Sequence, residues 1–356
     1  MTLPSGEQWS IRHGDQEAVV VQVGGGIRSY TVGGRPVLHG YAEDAKADAG
    51  RGQLLMPWPN RVRDGKFSFE GRDEQLALSE PSRFNASHGL VRWSLWSLVE
   101  QSENALTVAY SLLPQQGWDW RLDLRVRYEL DDDGLTVTPS ATNVGTTVAP
   151  FGFGAHPYLT AGEETVDELT LSLPGSTVLD VDERLIPTGR SGVPRDLDFR
   201  EARAIGATQL DHAFTDLEAE PLVSIRPSAS APGLLDQREG ALDRREGVLD
   251  RREGLLDQRE GALDQREGAL DRRVWLVSVS RGEVSTTLWG DASAYPFVQV
   301  FTGDSLPRDK ARRTGVAVEP MTCPANALAT GDSLVRIEPG DTWSAPWGVR
   351  PSRVPS

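Results

Sequence analysis

One cysteine, Cys323, stands in 356 residues, so an intramolecular disulfide framework is excluded and a reducing compartment is expected. No apolar run reaches the roughly 18 residues that a membrane-spanning helix needs. The N-terminal stretch lacks a charged segment followed by an apolar one, so a soluble, cytoplasmic protein with no membrane partner is expected. Basic runs are absent too. Lys and Arg number 37 against 52 Asp and Glu, a net charge of −15 that repels phosphate backbones and argues against nucleic acid as a partner. Spacings of the H-x-H, H-E-x-x-H or C-x-x-C kind do not occur, which argues against a metal site. The triple glycine Gly24–Gly26 is followed by no helix-forming run, so it reads as a turn and not as a phosphate cradle. No amphipathic helix of three turns stands out in the body of the chain.

Strands stand in place of helices. Lys66–Gly71 alternates apolar and polar residues, and so does Trp118–Tyr128. Leu135–Thr138, Leu169–Leu173 and Phe297–Phe301 continue the period of two that a half-buried strand requires. Ala18–Val23, Ile27–Val32 and Pro36–Leu38 are short apolar runs separated by glycine turns. With ten Trp and nine Phe, the chain has the material for a large core. The pattern predicts an all-β fold: a large antiparallel sandwich of two sheets, formed as one domain over residues 1–356.

One segment departs from the strand pattern. From Leu234 to Arg273 a seven-residue unit repeats five times, with a five-residue remnant. A seven-residue period suggests a coiled coil, but the apolar residues sit side by side, as at Ala241 and Leu242. Each unit also carries a glycine, at about 1 kcal/mol against helix. Its i,i+4 neighbours are like charges, Glu239 with Asp243 and Glu246 with Asp250. The segment is expected to be a flexible or marginally helical insert in a loop between strands, where long insertions cost little. Whether it has a protein partner is not given by the repeat.

Only five histidines exist, so each can be weighed. His156 lies in Gly154-Ala155-His156-Pro157-Tyr158-Leu159, where a strand ends and Pro157 stops further pairing. His88 sits in a loop ahead of an expected strand, Val91–Trp96. His212 follows Asp211, and His13 and His39 have no suggestive company. Glu319 is a lone carboxylate at the end of the apolar run in Ala317-Val318-Glu319-Pro320. An imidazole and a carboxylate can move one proton on and another off a small substrate near neutral pH without a cofactor. Arg61, in Trp58-Pro59-Asn60-Arg61, reads either as a clamp for a polar ligand or as a surface ion pair, and Trp58 as core or as a platform. Cys323 and His156 could form a nucleophile pair, but the Pro-flanked setting of Cys323 favours a packed thiol.

Taken together, Asn60-Arg61 before a Gly-x-Phe strand, His88-Gly89, His156-Pro157-Tyr158, Asp211 and Glu319 resemble the aldose 1-epimerase (galactose mutarotase) family. The stretch Glu319–Pro324 resembles an actinobacterial-type branch. The resemblance implies a β-supersandwich that binds a hexose in a shallow cleft and interconverts its α and β anomers with no cofactor. It implies Glu319 as general base and His156 as general acid. It implies Arg61, His88, Tyr158, Asp211 and Gln299 as the sugar-binding shell. Nearby carboxylates are expected to hold His156 protonated. Three alternatives stay open. A hexose-6-phosphate epimerase would need added cations, for which Arg63 and Arg92 are candidates. A glycoside hydrolase would pair Asp211 with Glu319. A sugar-binding module would have lost catalysis.

Overall fold

The computed structural model describes residues 3–162, 165–222, 272–307 and 312–352. The chain divides into two units, Met1–Ala219 with Trp275–Ser356, and Glu220–Val274. In the second, Glu220 pairs with Val274 and Pro221 with Arg273. The heptad reading falls outside the described residues except for Arg272 and Arg273, the latter being the first residue of the strand Arg273–Arg281.

The first unit is built from antiparallel strands. Its 12-stranded sheet runs Gln8–His13, Gln16–Val21, Ile27–Val32, Arg35–Leu38, Tyr158–Leu159, Val316–Met321, Phe297–Phe301, Asp211–Leu217, Gly175–Val181 and Pro187–Gly192 in spatial order, with two short strands off this path. A second large sheet orders Ser97–Gln101, Ala105–Leu112, Leu122–Asp131, Gly134–Asn143, Trp347–Pro351 and Val284–Asp291. Alternation explains how the two faces separate. Along Leu122–Asp131, Leu122, Leu124, Val126, Tyr128 and Leu130 are fully buried while Arg125 and Arg127 are exposed. These residues share one core with Ile11, Val20, Tyr30, Val298, Val300, Val316 and Val318 of the first sheet. Each such side chain stabilises by roughly 1.5–3 kcal/mol relative to exposure. Two hydroxyls bridge the sheets: Tyr128 donates to the Gly25 carbonyl at 2.6 Å, and Thr286 to the Thr160 carbonyl at 2.7 Å.

The all-β sandwich and most of the strands read from the sequence are therefore present. Among the described residues the only α-helix is Ala327–Thr330, and no helix is long and apolar enough to cross a membrane. Two expectations are corrected. Trp118 and Trp120 are buried as the alternation required, but their strand begins only at Leu122, after a turn in which Gly117 takes φ +77°. Val91–Trp96 is not a strand. Ser94 donates back to the Val91 carbonyl at 3.1 Å, so the chain turns there, and the strand starts at Ser97. The turn leaves Trp93 54% exposed and carries Arg92 to the wall of the cavity described next.

Candidate active site

Glu319 lies in Val316–Met321, a strand in which all six residues are buried. Side chains alternate, so Val316 and Val318 enter the core and Glu319 takes the opposite face. The neighbouring strand Phe297–Phe301 repeats this logic: Val298 and Val300 face the core, while Gln299 stands directly beside Glu319. One strand further, Ala213 pairs with Gln299, which puts Asp211 on the same face as both. Gln299 donates to Asp211 Oδ1 at 2.8 Å and accepts from Asn60 Nδ2 at 3.3 Å.

His156 arrives from the other side of Val316–Met321. The strands Gly154–Ala155 and Tyr158–Leu159 both pair with it, and the break at His156-Pro157 between them frees the imidazole. The His156 backbone stays anchored: its N–H donates to the Gln53 carbonyl at 3.0 Å and its carbonyl accepts from Gly52 at 2.9 Å. Nε2 then lies 3.3 Å from Glu319 Oε1, with the two side chains only 6% and 4% exposed. The His88 ring meets the His156 ring edge-on, centroids 5.7 Å apart. Gly50 covers the imidazole. Its φ is +77°, and a Cβ there would stand 2.4 Å from His156 Cδ2, so the position requires glycine twice over.

Arg61, His88, His156, Asp211, Gln299 and Glu319 all line one cavity of about 360 Å³. Tyr158, expected in the sugar-binding shell, does not. It lies behind His156, stacked on it at 5.1 Å and 12°, with its hydroxyl donated to the Ala49 carbonyl at 2.7 Å. The Arg51 guanidinium stands 4.4 Å from the Tyr158 ring centroid and pairs with Asp48 at 2.5 Å. Both faces and the hydroxyl of Tyr158 are thus used in packing. Arg61 is both of the things its sequence allowed: it lines the cavity, and its fork is closed on Glu80 at 2.9 and 3.2 Å. Trp58 is core. Cys323 is fully buried away from the cavity lining, and burial pushes its thiol up to about 12. His13 pairs with Asp132 at 2.8 Å, and neither His39 nor His212 lines the cavity. Among the described residues no group of three or more His, Cys, Asp and Glu stands at metal-binding geometry.

The electrostatics differ from the sequence expectation. Burial drives the His156 imidazole down to about 3, and the Arg92 charge, followed by those of Arg51 and Arg61, adds to the effect. Nearby carboxylates do not outweigh this, so His156 is neutral in the free protein. Burial also lowers His88, with Arg92, His156 and Arg61 contributing. Glu319 is raised well above the usual carboxylate value by burial and by Asp211, against a smaller opposing effect of Arg61. Glu80 is different: burial opposes its charge, yet the Arg61 fork and charge, Asn85 and Arg83 hold it below the usual value. Hydrogen-bond partners are lacking among the described residues for Glu319 Oε2, His156 Nδ1 and His88 Nδ1.

Gly50, Gln53, Glu80, Arg92 and Trp93 also line the cavity. None carries a motif. Each reaches the cavity through a turn or through an ion pair with a distant partner.

Comparison with known proteins assigns the chain to a family. The profile of the aldose 1-epimerase family matches residues 7–231. The chain is similar to the uncharacterized protein YihR of Escherichia coli K12, 32% identical over 338 residues, covering 94% of this chain and 90% of YihR. It is 29% identical to human galactose mutarotase over 144 residues, 39% of this chain and 41% of that one. Two solved structures share the fold. A putative aldose 1-epimerase from E. coli K12 gives a TM-score of 0.72 at 17% identity, covering 98% and 99% of the two chains. A galactose mutarotase-like protein from Clostridium acetobutylicum gives 0.73 at 15% identity, covering 97% and 95%. The chain belongs to the aldose 1-epimerase family.

Proposed function

We propose that this protein is an isomerase that interconverts the α and β anomers of an aldose, by acid and base assistance to ring opening and closure. One observation carries the reading: an imidazole and a carboxylate, both nearly buried, meet at 3.3 Å on the wall of a cavity of about 360 Å³. That volume lies in the range of small-molecule sites. The unpartnered Glu319 Oε2, His156 Nδ1 and His88 Nδ1 support it further, because each buried polar atom left unpaired costs about 1–3 kcal/mol and a polyhydroxylated ligand offers partners.

In this reading Glu319 takes the proton of the anomeric hydroxyl while His156 gives one to the ring oxygen. The C1–O5 bond breaks, C1 becomes the free aldehyde, and the C1–C2 bond rotates. Closure on the other face of the carbonyl restores the ring, O5 returns its proton to His156, and Glu319 returns its proton to O1. Atoms and charges balance, and the chemistry calls for no cofactor. Arg61, His88, Asp211 and Gln299 would hold the hydroxyls, and Tyr158 would hold the plane of His156 from behind. Acid and base assistance are worth about 10²–10⁴-fold each. A cytoplasmic setting is part of the proposal, supported by the single buried thiol.

Polarimetry on freshly dissolved α-D-glucose and α-D-galactose tests the proposal. Faster decay of optical rotation than in buffer is the expected result. Sugar binding with decay at the uncatalysed rate would instead mark a binding module.

A further inference from the structure

One buried cation stands outside the cavity and has no part in the chemistry proposed above. Arg51 is 2% exposed and does not line the cavity, yet only the Tyr158 ring separates it from His156. Its Nη1 donates to Asp48 Oδ1 at 2.5 Å, while Nε and Nη2, both buried, have no hydrogen-bond partner among the described residues. Taking a guanidinium out of water for one ion pair and two unpaired nitrogens is costly. Packing alone would be served as well by an apolar side chain of similar volume. Two sets of contacts show what the guanidinium is placed to do.

The first is with Tyr158. The guanidinium carbon lies 4.4 Å from the centre of that ring, and the ring stacks on His156 at 5.1 Å and 12°. A flat cation is attracted to an aromatic face and stacks on it, whereas lysine offers no such plane. The second is with its own turn. The Arg51 N–H donates to the Asp48 carbonyl at 2.8 Å and the side chain closes on the Asp48 carboxylate, so the turn is tied twice. Within it Ala49 takes φ +48° and Gly50 φ +77°, and Gly52 follows at +70°. Alanine in the left-handed region is strained and persists only where its surroundings hold it. The turn in its place supports the acid. The Ala49 carbonyl accepts the Tyr158 hydroxyl, and Gly50 covers the imidazole. The Gly52 N–H donates to the His156 carbonyl, and the Gln53 carbonyl accepts the His156 N–H. Ring and turn, the two supports of His156, meet at Arg51.

We propose that Arg51 is a positioning residue: by fixing the Tyr158 ring and the turn 48–53, it keeps the His156 imidazole aligned with Glu319. The proposal deepens the epimerase reading above and rests on it, and it gives Arg51 no contact with the sugar. Arg51 also brings a charge near the acid. The groups facing His156 are Glu319 at 3.3 Å, His88 edge-on, the stacked Tyr158, and the charges of Arg92, Arg51 and Arg61. Arg51 is one of three cations that oppose a proton on the imidazole, so removing it should ease protonation.

The experiment compares the full chain with R51M, R51K and Y158L, by NMR anomer exchange of glucose and galactose and by crystal structures of the variants. R51M should lower kcat about ten- to a hundredfold, as a displaced reacting group does, with KM changed by less than about threefold because Arg51 touches no substrate. R51K keeps the charge and loses the plane, so it should recover part of kcat. The acid limb of the pH–rate profile should move up by about half to one pH unit in R51M and stay in place in R51K. Adding R51M to Y158L should cost less kcat than adding it to the wild type, since the ring it acts through is gone. Thermal melts check folding, and if R51M does not fold, the kcat of R51K decides: a wild-type value counts against the proposal. A folded R51M with wild-type kcat, or one that loses kcat while its acid limb stays where it was, would overturn this inference and leave the epimerase reading standing. A wild-type chain that accelerates neither sugar would sink the epimerase reading. The R51M crystal structure would still test the placement, and a His156–Glu319 contact unchanged from 3.3 Å would refute it.

Discussion

Gly50→Ala puts the geometry of the acid to a direct test. The added Cβ would stand 2.4 Å from His156 Cδ2, 2.7 Å from Nε2 and 2.9 Å from Cγ, where ordinary contact begins at 3.4 Å. The ring must therefore shift by about 1 Å, and a displacement of that size costs about 10²-fold in rate. The imidazole has little freedom to adapt. Its backbone is bonded to Gln53 and Gly52, its face is stacked on Tyr158, and its Nε2 has Glu319 at 3.3 Å. Alanine at φ +77° adds a backbone cost of about 1–2 kcal/mol that has nothing to do with the site. Gly34→Ala supplies the control, because Gly34 has φ +80° and nothing within 4 Å of its Cβ position. Both variants should melt a few degrees lower. Only Gly50→Ala should lose turnover, by about a hundredfold in kcat measured by polarimetry, with KM little changed. A folded Gly50→Ala protein with wild-type kcat would refute the claim that His156 acts from its present position.

Glu319→Gln keeps the shape of the side chain and removes its capacity to take a proton; kcat should fall by about 10²–10⁴-fold while sugar affinity in calorimetry changes by less than tenfold, and full turnover would end the base assignment. The same variant should alter the pH dependence of stability. The folded value of Glu319 is raised, so its contribution is fully present below the unfolded value of about 4.3 and is lost as pH rises toward the folded value. The melting temperature of Glu319→Gln relative to wild type should therefore climb as pH rises from about 4.3 toward the folded value. His156→Asn should show the opposite trend: a depressed imidazole loses its contribution as pH falls from about 6.5 to about 3, so the variant gains on wild type toward acid. Flat differences in thermal melts would contradict both shifts. Deleting residues 234–271 should leave turnover within about twofold, as loops tolerate length changes; a variant that no longer folds would show that the repeat is structural.

The strand pattern was legible because alternation is a local signal. Phe297-Val298-Gln299-Val300-Phe301 states its two faces outright, with a polar residue flanked by valines that the core takes. Glu319 was legible for the same reason, as a charge inside a run that has to be buried. The cavity wall opposite was not legible. Arg92 looked like part of a strand because Val91–Trp96 is apolar enough to be one, and the turn that excludes it is stabilised by Gly24, far off in sequence. Tyr158, two residues from His156, would share its face in an unbroken strand, but the pairing is interrupted at Pro157 and Arg51 holds the ring from its other side. The protonation of His156 is not legible in the sequence, because burial and the placement of three arginines decide it, and neither is local.

Those shifts bear on how the proposed reaction starts. Burial favours the uncharged pair, a protonated Glu319 beside a neutral His156. The roles proposed here need the charged pair, which differs only by one proton moved across the 3.3 Å contact. No proton is drawn from solvent, so the cost is the separation of charge alone. The cost falls when a sugar's hydroxyls enter the cavity and solvate both partners. Anomer exchange is its own reverse, so each group must give and take in every turnover, and a pair that holds one proton between two buried atoms meets that demand in both directions. The rate should accordingly be flat over the pH range in which the pair holds that one proton, falling on the acid side as His156 and Glu319 are both protonated and on the alkaline side as both lose their protons. A single sigmoidal step across the whole range would show that only one of the two titrates in catalysis.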